Sequence, residues 1–244
     1  MHDKSGYNFV GVIPARYHST RFPAKVLENI NGIPMVAQVY NQVLKSKLKH
    51  IIVAVDHQLV EKKLNELNIP NIMTSNKLNS GTERVAEIAS KIDGKVFINI
   101  QADEPFIDPD IINLLMNLFN DIKSIKMGTI ASTQLSKNDF YDNNVVKVSI
   151  DKNKKAIEFF RKKSNSKFHN QTYKHLGIYG FTKEFLIEFS KMNPTFGEKK
   201  YKLEQLRALE NDIPIYVELT NLDSLGVNTY EDLLKLKENH KIEK

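Results

Sequence analysis

The chain has 244 residues, of which 41% are hydrophobic and 26% charged, and its net charge is +6. This apolar content exceeds that of disordered chains and is sufficient for the core of one large domain. No apolar run approaches the roughly 20 residues of a membrane span, and the polar start MHDKSGYNF lacks the apolar centre of a signal peptide. With no cysteine in the chain, these features predict a cytoplasmic protein without disulfides and without thiolate metal sites.

The positive charge is carried mostly by lysines that are scattered among acidic residues. No stripe of cations interleaved with aromatic residues is present, so we expect neither a nucleic-acid partner nor a membrane surface. Only five of the 35 basic residues are arginines, and a guanidinium is favoured where a planar oxyanion is gripped at two points. The five arginines are Arg16, Arg21, Arg84, Arg161 and Arg207. Arg207 also suits a simple ion pair on a helix face.

The first half of the chain alternates short β-branched runs with helical patterns. Strands are predicted at 9–15, 50–56, 71–75 and 95–105, and helices at 34–48, 58–68, 81–92 and 108–122. Asp108 and Pro109 are suited to the N-cap and first position of the last of these helices. Repeated strand–helix units predict an α/β fold with a mostly parallel sheet. In such sheets the binding sites lie at the carboxyl ends of the strands.

The second half is expected to continue the same domain with less regular spacing. Strands are predicted at 127–133, 144–151, 154–160, 175–181 and 213–219, and helices at 182–192, 202–211 and 229–241. Thr229 and Asp232 match the start of a capped helix, and the polar stretch 161–174 is predicted to be a loop. We therefore expect one domain over 1–244, with a smaller lobe inserted at about 125–190.

The segment VIPARYHSTRFPAK places three cations on the first loop that leaves the first strand. Arg16, Arg21 and Lys25 lie within ten residues, at the strand end where ligands bind in this fold class. The loop lacks the glycines and the Gly-Lys-Ser/Thr ending of a P-loop. Side chains are therefore expected to hold a polyanion there, although a basic surface loop has the same composition.

Two further segments fall at the same edge of the predicted sheet. Ser80, Gly81 and Thr82 precede or open a helix, where free amides and hydroxyls suit an anion, although a plain helix cap has the same pattern. Asp103 follows a buried strand and is placed to hold Mg²⁺ against phosphate oxygens. Gln101 is expected to bind a hydroxyl or a base edge. An Asp at a strand end is often structural, but a polyanion loop on the same edge favours a metal.

Candidate residues for a second, polyol-like substrate lie later in the chain. His175 and Tyr179 are four apart in a predicted strand and therefore share one face, as ordinary core residues also do. Arg161 is suited to a carboxylate, and Glu204 and Gln205 lie in an amphipathic segment. His175 and Tyr179 are thus candidates to hydrogen-bond a polyol.

Eight segments together resemble one known family, the 3-deoxy-manno-octulosonate cytidylyltransferases, or CMP-Kdo synthetases. The segments are IPARYHSTRFPAK, INGIPM, VAVDH, SGTERVAE, NIQADEP, KHLGIYGF, LEQLRAL and GVNTYEDL, in that order, from about Phe9 to Leu236. The resemblance implies a Rossmann-like nucleotidyltransferase fold and a homodimer formed through the smaller lobe. It also implies Mg²⁺-dependent transfer of CMP from CTP to the anomeric hydroxyl of Kdo, with release of pyrophosphate, for cytoplasmic lipopolysaccharide synthesis.

The resemblance also implies roles for individual residues. The nucleotide-binding set is Ala15, Arg16, Arg21, Lys25, Ser80, Gly81, Thr82 and Gln101. The residues implied to be catalytic are Arg16, Lys25 and Asp103. The sugar-binding set is Gln101, Arg161, His175, Tyr179, Glu204 and Gln205. The metal ligands are Asp103 and Asn228.

The chain departs from the family pattern at several of these positions. Asn228 stands where the family usually has an aspartate that is a second Mg²⁺ ligand, and a neutral amide is a weaker ligand for a hard cation. Asp223 is close enough in sequence to be a candidate replacement. The segment RKKSNSKF after Arg161 also replaces the usual Ile-Pro pattern. Two alternatives therefore stay open: a related acceptor, such as an amino-substituted Kdo or another ulosonate, and a catalytically weak nucleotide- or sugar-binding homologue.

Overall fold

The structure is a computed structural model, and it describes residues 7–18, 22–162 and 171–239. The strands are β1 (Tyr7–Ala15), β2 (Asn29–Ile30), β3 (Ile33–Pro34), β4 (Ile51–Val55), β5 (Asn71–Met73), β6 (Gly94–Asn99), β7 (Met127–Ser132), β8 (Lys147–Ile150), β9 (Ala156–Phe160), β10 (Thr172–Thr182) and β11 (Ile215–Thr220). The helices are α1 (Met35–Val43), α2 (Gln58–Glu66), α3 (Gly81–Lys91), α4 (Pro109–Asp121), α5 (Lys137–Tyr141), α6 (Lys183–Lys191), α7 (Phe196–Tyr201), α8 (Leu206–Leu209) and α9 (Tyr230–Asn239). A short 3-10 helix spans Lys25–Leu27.

The main sheet has the order β5-β4-β1-β6-β10-β7-β11, and β8 and β9 extend it through β10. Strands β1, β4, β5 and β6 pair in parallel, and so do β7 and β11. Strand β10 runs antiparallel to its neighbours β6 and β7. The α/β class and the parallel arrangement of the first four strands of this sheet are confirmed, and the sheet as a whole is mixed because of β10.

Both faces of the sheet carry an apolar core, because successive residues of a strand point to opposite faces. On one face Ile13 belongs to a core that includes Leu64 of α2 and Leu115 of α4. On the other face Val12 belongs to a core with Ile88 of α3 and Phe185 of α6. Helices pack on both faces of β1, so the carboxyl end of this strand lies at a fixed position at the edge of the sheet.

A third, smaller core attaches the C-terminal helix beside that edge. It contains Ile30, Met35, Val227, Leu233 and Leu236. These residues join the β2–β3 hairpin to α9 and to the irregular segment that precedes it. Residue 227 is thereby held next to the first loop.

Local capping explains several helix starts that the sequence predicts. Ser80 Oγ accepts a hydrogen bond from the amide of Glu83 at 3.1 Å, and the side chain of Asp108 caps α4. Thr229 and Asp232 cap one another's amides, at 3.2 and 2.9 Å. Each contact satisfies amides that a helix start leaves without a partner.

Some predicted elements are wrong. The predicted loop 161–174 overlaps β10 at residues 172–174, while 163–170 lies outside the described residues. The predicted helix 202–211 is reduced to α8, because Lys202 has φ 54° and ends α7 in the left-handed region. The predicted strand 71–75 ends two residues earlier. Helices α5 and α7 and the β2–β3 hairpin are too short for a periodic signal. The smaller lobe at about 125–190 stays a prediction.

Candidate active site

The carboxyl ends of β1, β4 and β6 meet at one edge of the sheet. The register pairs Ala15 with Val55 and Val12 with Asn99, so the residues after each strand emerge side by side. This edge brings together the first loop, Asp56 and the segment from Gln101. The strand-end position predicted for these residues is therefore confirmed.

Two neighbouring cavities open at this edge and share two residues. The smaller cavity, of about 330 Å³, is lined among others by Arg16, His18, Lys25 and Gly81. The larger cavity has about 620 Å³. Gln101 and Asp103 line both cavities. Ligands in the two cavities would therefore share contacts with Gln101 and Asp103.

The smaller cavity is lined by cations held in defined positions. Arg16 Nη1 donates a hydrogen bond to the carbonyl oxygen of Asn79 at 2.9 Å, which joins the first loop to the segment before α3. Ala15 ends β1 just before it. Gly81 lies close to Pro14, and a Cβ at this position would lie 3.3 Å from the proline ring. Arg21 lies outside the described residues, so its role stays a prediction.

Lys25 connects three parts of the site. Its Nζ donates to Asp103 Oδ2 at 2.6 Å and to the carbonyl oxygen of Val227 at 2.7 Å. The amide of Val227 in turn donates to the carbonyl oxygen of Asp103 at 2.8 Å. The first loop, the end of β6 and the segment before α9 are thus tied together around one carboxylate.

The start of α3 is joined to the segment before α8. Thr82 Oγ1 donates a short hydrogen bond to Glu204 Oε2, and burial raises the pKa of the Glu204 carboxyl, against the hydrogen bonds from Thr82 and Ser80 that lower it. Glu204 therefore lies at the α3 end of the site and is not among the side chains that line the larger cavity.

Three buried polar atoms nearby lack a hydrogen-bond partner among the described residues. They are Asn99 Oδ1, the hydroxyl oxygen of Tyr179 and Glu204 Oε1, which lies 3.6 Å from Arg207. Asn99 and Tyr179 are register partners on β6 and β10. Because buried polar atoms are normally hydrogen-bonded, this group suits a polar ligand or ordered water.

A buried ion pair supports the first loop from below. Arg84 is fully buried on α3, and its Nη2 lies 3.2 Å from Asp56 Oδ2. The other Asp56 oxygen accepts a hydrogen bond from the amide of Tyr17 at 2.9 Å. The Tyr17 ring stacks on His57 with a centroid distance of 4.0 Å. The residues next to Arg16 are therefore anchored to β4 and α3.

The larger cavity contains the predicted pair on β10. The rings of His175 and Tyr179 lie 5.2 Å apart, which confirms that they share one face. Thr129 Oγ1 lies 3.0 Å from His175 Nε2. Burial, assisted by the positive charge of Arg161, lowers the pKa of His175 to about 3, so its ring is neutral at pH 7. Burial raises the pKa of the Tyr179 hydroxyl well above its ordinary value.

Other predicted sugar-binding residues line the same cavity. Gln101 Nε2 donates to the carbonyl oxygen of Gly177 at 2.9 Å, and the buried Gln205 also lines the cavity. Arg161 Nη1 donates to the carbonyl oxygens of Asn143 and Asn144, at 3.3 and 3.1 Å. A guanidinium therefore lines the larger cavity and rests on the 143–144 backbone.

Asp223, the candidate replacement for a carboxylate at position 228, forms an ion pair elsewhere. Its Oδ2 pairs with Lys174 Nζ at 2.7 Å, and Lys174 and Glu104 both line the larger cavity. Ser224 Oγ donates to Glu104 Oε2 at 2.5 Å. Burial raises the pKa of Glu104 to about 7, helped by the charges of Asp103 and Asp223. Asp223 lines neither cavity, whereas Asp103 lines both, so the suggestion that Asp223 compensates for Asn228 gains no support from the structure.

Asn228 lies on the wall of the larger cavity. Its amide donates to Asp232 Oδ2 at 2.9 Å, so its backbone belongs to the cap of α9. Within the described ranges, no three His, Asp or Glu side chains are grouped so that they alone hold a metal ion. A metal at Asp103 would therefore need further oxygen ligands from a bound substrate.

Comparison with known proteins shows which enzyme family this chain belongs to. A family model described as cytidylyltransferase matches residues 10–218. The 3-deoxy-manno-octulosonate cytidylyltransferase of Trichlorobacter lovleyi is 41% identical, with 95% of this chain and 98% of that protein covered. The enzyme of the same name from Fusobacterium nucleatum subsp. nucleatum is 41% identical, with coverages of 92% and 94%. The chain belongs to the 3-deoxy-manno-octulosonate cytidylyltransferase family.

A solved structure agrees with this assignment. The structure of CMP:2-keto-3-deoxy-manno-octonic acid synthetase complexed with CTP matches this fold with a TM-score of 0.89 and 30% identity. The match covers 95% of this chain and 98% of that one. The nucleotidyltransferase fold predicted from the sequence is therefore confirmed. Across the described part of the chain, no helix has the length and apolar character needed to cross a bilayer.

Sequence reasoning missed several residues of the site. His18 lines the smaller cavity, and Lys174 and Ser224 hold the wall of the larger one through Asp223 and Glu104. A lysine in an otherwise apolar strand was a usable signal for Lys174. Nothing in the sequence pattern pairs Ser224 with Glu104, because 120 positions separate them.

Proposed function

We propose that this protein transfers CMP from CTP to the anomeric hydroxyl of Kdo and releases pyrophosphate, as a step of lipopolysaccharide synthesis. One observation carries the proposal. The smaller cavity, lined by Arg16 and Lys25, and the larger cavity, lined by Arg161, share the lining residues Gln101 and Asp103. A triphosphate in the first and a sugar acid in the second would bring the α-phosphorus and the attacking hydroxyl together at this point.

The cations would act on the leaving group. Arg16 and Lys25 line the cavity that would hold the triphosphate, and they would neutralise the charge that accumulates on pyrophosphate as the bond to the α-phosphorus breaks. The acceptor hydroxyl would attack opposite that bond. Positioning and charge stabilisation supply most of the rate enhancement in such transfers.

The larger cavity would hold the acceptor. Arg161 would bind the carboxylate in a bidentate manner, while Gln101, Gln205 and the neutral His175 ring would hydrogen-bond hydroxyl groups. The hydroxyl of Tyr179, which has no partner among the described residues, would gain one from the substrate. A neutral imidazole suits this role because it both donates and accepts.

The reaction is proposed to depend on Mg²⁺. The donor set fits this ion, since Mg²⁺ is commonly held by one or two carboxylates together with substrate phosphates. Asp103 at the junction of the cavities would be the charged ligand, and Asn228 would contribute a neutral oxygen. When bound, the ion supplies charge neutralisation and polarisation of the phosphate oxygens.

We also propose that the enzyme is a cytoplasmic homodimer. Its substrate CTP is a cytoplasmic nucleotide, and the implied smaller lobe would form the dimer contact. Sedimentation analysis of the purified protein would test the dimer independently of activity.

Pyrophosphate release from CTP and Mg²⁺, with Kdo supplied or omitted, tests the reaction. We expect release that requires Kdo, and a loss of at least about 10²-fold in Asp103→Asn, typical of removing an electrostatic stabiliser. Asp93→Asn is the matched control, because Asp93 is 92% exposed and far from both cavities. Release with another ulosonate but not with Kdo would correct the acceptor. No release with any of them would overturn the proposal.

A further inference from the structure

Lys147 is an unusual residue of the β8 strand. Its side chain is fully buried, with 0% exposure, and burial lowers the pKa of its ammonium group. Lysines are rarely buried unless the charge is compensated. The segment NVVKVSI is otherwise apolar or small, so an aliphatic residue would have filled the same space without that cost.

The ammonium group binds main-chain oxygens. Its Nζ donates to the carbonyl oxygens of Asp142 and Val145 at 2.9 and 2.8 Å, and it makes a third, short hydrogen bond to the carbonyl oxygen of Arg161. A lysine has three N–H donors, so these three carbonyls use all of them. Lys147 thus ties the turn before β8 to the residue that follows β9.

The same turn carries the second cation. Arg161 Nη1 donates to the carbonyl oxygens of Asn143 and Asn144. Four successive carbonyls, 142 to 145, therefore face either Lys147 or Arg161. Asp142, Asn144 and Arg161 line the larger cavity. The buried lysine consequently determines both the backbone position of Arg161 and the surface on which its guanidinium rests.

We propose that Lys147 is a positioning residue for the acceptor acid: it fixes the 142–145 turn and Arg161 so that the guanidinium can bind a carboxylate in the larger cavity. This inference rests on the proposed function, since it assigns the anionic end of the acceptor to Arg161. When the carboxylate binds, the guanidinium can exchange its longer contacts with Asn143 and Asn144 for the substrate. The shorter contacts of Lys147 keep the wall in place.

The neighbouring strand supports a role specific to this cation. Lys174 of β10 lies directly opposite Lys147 in the register, and like charges in such positions oppose one another. Lys174 is compensated by Asp223, whereas the hydrogen bonds of Lys147 go to carbonyls. The ammonium group of Lys147 is therefore tied to the backbone of the 142–145 turn and of Arg161, which is the contact that the proposal uses.

The test measures KM for CTP and for the sugar acid separately in Lys147→Met, which keeps an unbranched side chain one atom shorter and removes the donors. We expect KM for the sugar acid to rise about tenfold or more, with KM for CTP changed less than about twofold. Lys154→Met is the matched control. Lys154 lies in the turn between β8 and β9, is half exposed and pairs with Glu218, so both constants should stay unchanged.

Coupling to Arg161 separates positioning from a general structural role. If Lys147 acts through Arg161, Lys147→Met should add less than about twofold to the KM of the Arg161→Ala variant, because the two effects share one cause. Full additivity would overturn the proposal, as would an unchanged KM for the sugar acid in Lys147→Met. Thermal unfolding is measured on every variant.

A second variant tests the proposal if Lys147→Met does not fold. Lys147→Gln retains two N–H donors without the charge, and the same selective rise in KM is expected. A parallel loss of CTP affinity, sugar-acid affinity and stability in both variants would also overturn the proposal, because it indicates a purely structural role. Failure of the proposed function would be distinct, since the unsubstituted enzyme would then show no turnover with any sugar acid.

Discussion

Lys25 and Asp103 form an ion pair of 2.6 Å at the junction of the two cavities. The lysine is 12% exposed and the aspartate 30% exposed. Since Lys25 also holds the carbonyl oxygen of Val227, one ammonium group compensates the carboxylate and anchors the segment before α9. The residue proposed to hold a metal ion is therefore kept in position before any substrate is bound.

Lys25→Met should lower kcat/KM for CTP by about 10²-fold, because it removes a cation proposed to stabilise the leaving pyrophosphate. It should also loosen the segment at Val227, which hydrogen exchange of its amide would report. Pyrophosphate release measures the first effect. Lys45→Met is the control, because Lys45 is exposed and contacts only its neighbour Gln42 among the hydrogen bonds described. A loss of less than about fivefold would contradict the proposed role.

Asn228→Asp should increase metal affinity by about tenfold, or about 1.4 kcal/mol, since a carboxylate is a stronger ligand for a hard cation than an amide. Mn²⁺ binding in the presence of CTP, followed by electron paramagnetic resonance, measures the change without relying on turnover. Asn221→Asp adds the same charge to an exposed part of the same segment and should have little effect. Equal changes in the two variants would show that only long-range charge matters.

The free energy of unfolding should depend on the protonation of His175. Its native pKa is lowered to about 3, against about 6.5 in the unfolded chain. Between these values the unfolded chain binds a proton that the native state does not, so stability is lost as the pH falls from about 6.5 toward 3.

Chemical denaturation of His175→Gln between pH 4 and 7 tests this dependence. The free energy of unfolding of the variant should depend less steeply on pH than that of the unsubstituted protein. The difference in slope should correspond to about one bound proton. Glu104 contributes with the opposite sign, because its raised pKa makes its stabilising effect decline as the pH rises from about 4.5 to 7. This contribution is present in both the parent and the variant, so it cancels when their pH slopes are subtracted. Thr129→Val breaks the contact to His175 but keeps the ring, so its slope should match that of the parent.

Arg84→Met should reduce the free energy of unfolding by about 3–5 kcal/mol, because it leaves the buried Asp56 carboxylate without its cationic partner. Urea denaturation at pH 7 measures the change. The double variant with Asp56→Asn should recover part of the loss, since it also removes the uncompensated charge. A loss below about 1 kcal/mol in Arg84→Met would mean that water reaches Asp56.

The sequence predicted best those elements whose signals are local. Strand β1 and helix α4 have dense apolar runs with a cap or a bounding turn, so their existence did not depend on distant residues. The predicted helix 202–211 is wrong because its start depends on tertiary contacts. Arg207 pairs with Glu198 at 2.5 Å, and Lys202 takes the left-handed conformation that ends α7.

In the site, too, the residues with local signals were predictable and those positioned by tertiary contacts were not. Residues that follow parallel strands, such as Arg16 and Asp103, could be placed because strand ends share one edge. The partners that orient them could not, since Gln101 contacts Gly177 and Lys25 contacts Val227 across long stretches of chain. The resemblance to a known family supplied the roles of these residues, and the structure supplied their neighbours.

The shared wall at Gln101 and Asp103 has a consequence for inhibitor design. Because the proposed nucleotide cavity and the proposed acceptor cavity share these two residues, one molecule that joins a cytidine phosphate to a sugar acid through a short stable link is expected to occupy both. Such a molecule loses its translational freedom once, whereas two separate ligands lose it twice. Its binding would then exceed the sum expected from its halves, and the best link length would report the distance between the two reacting groups.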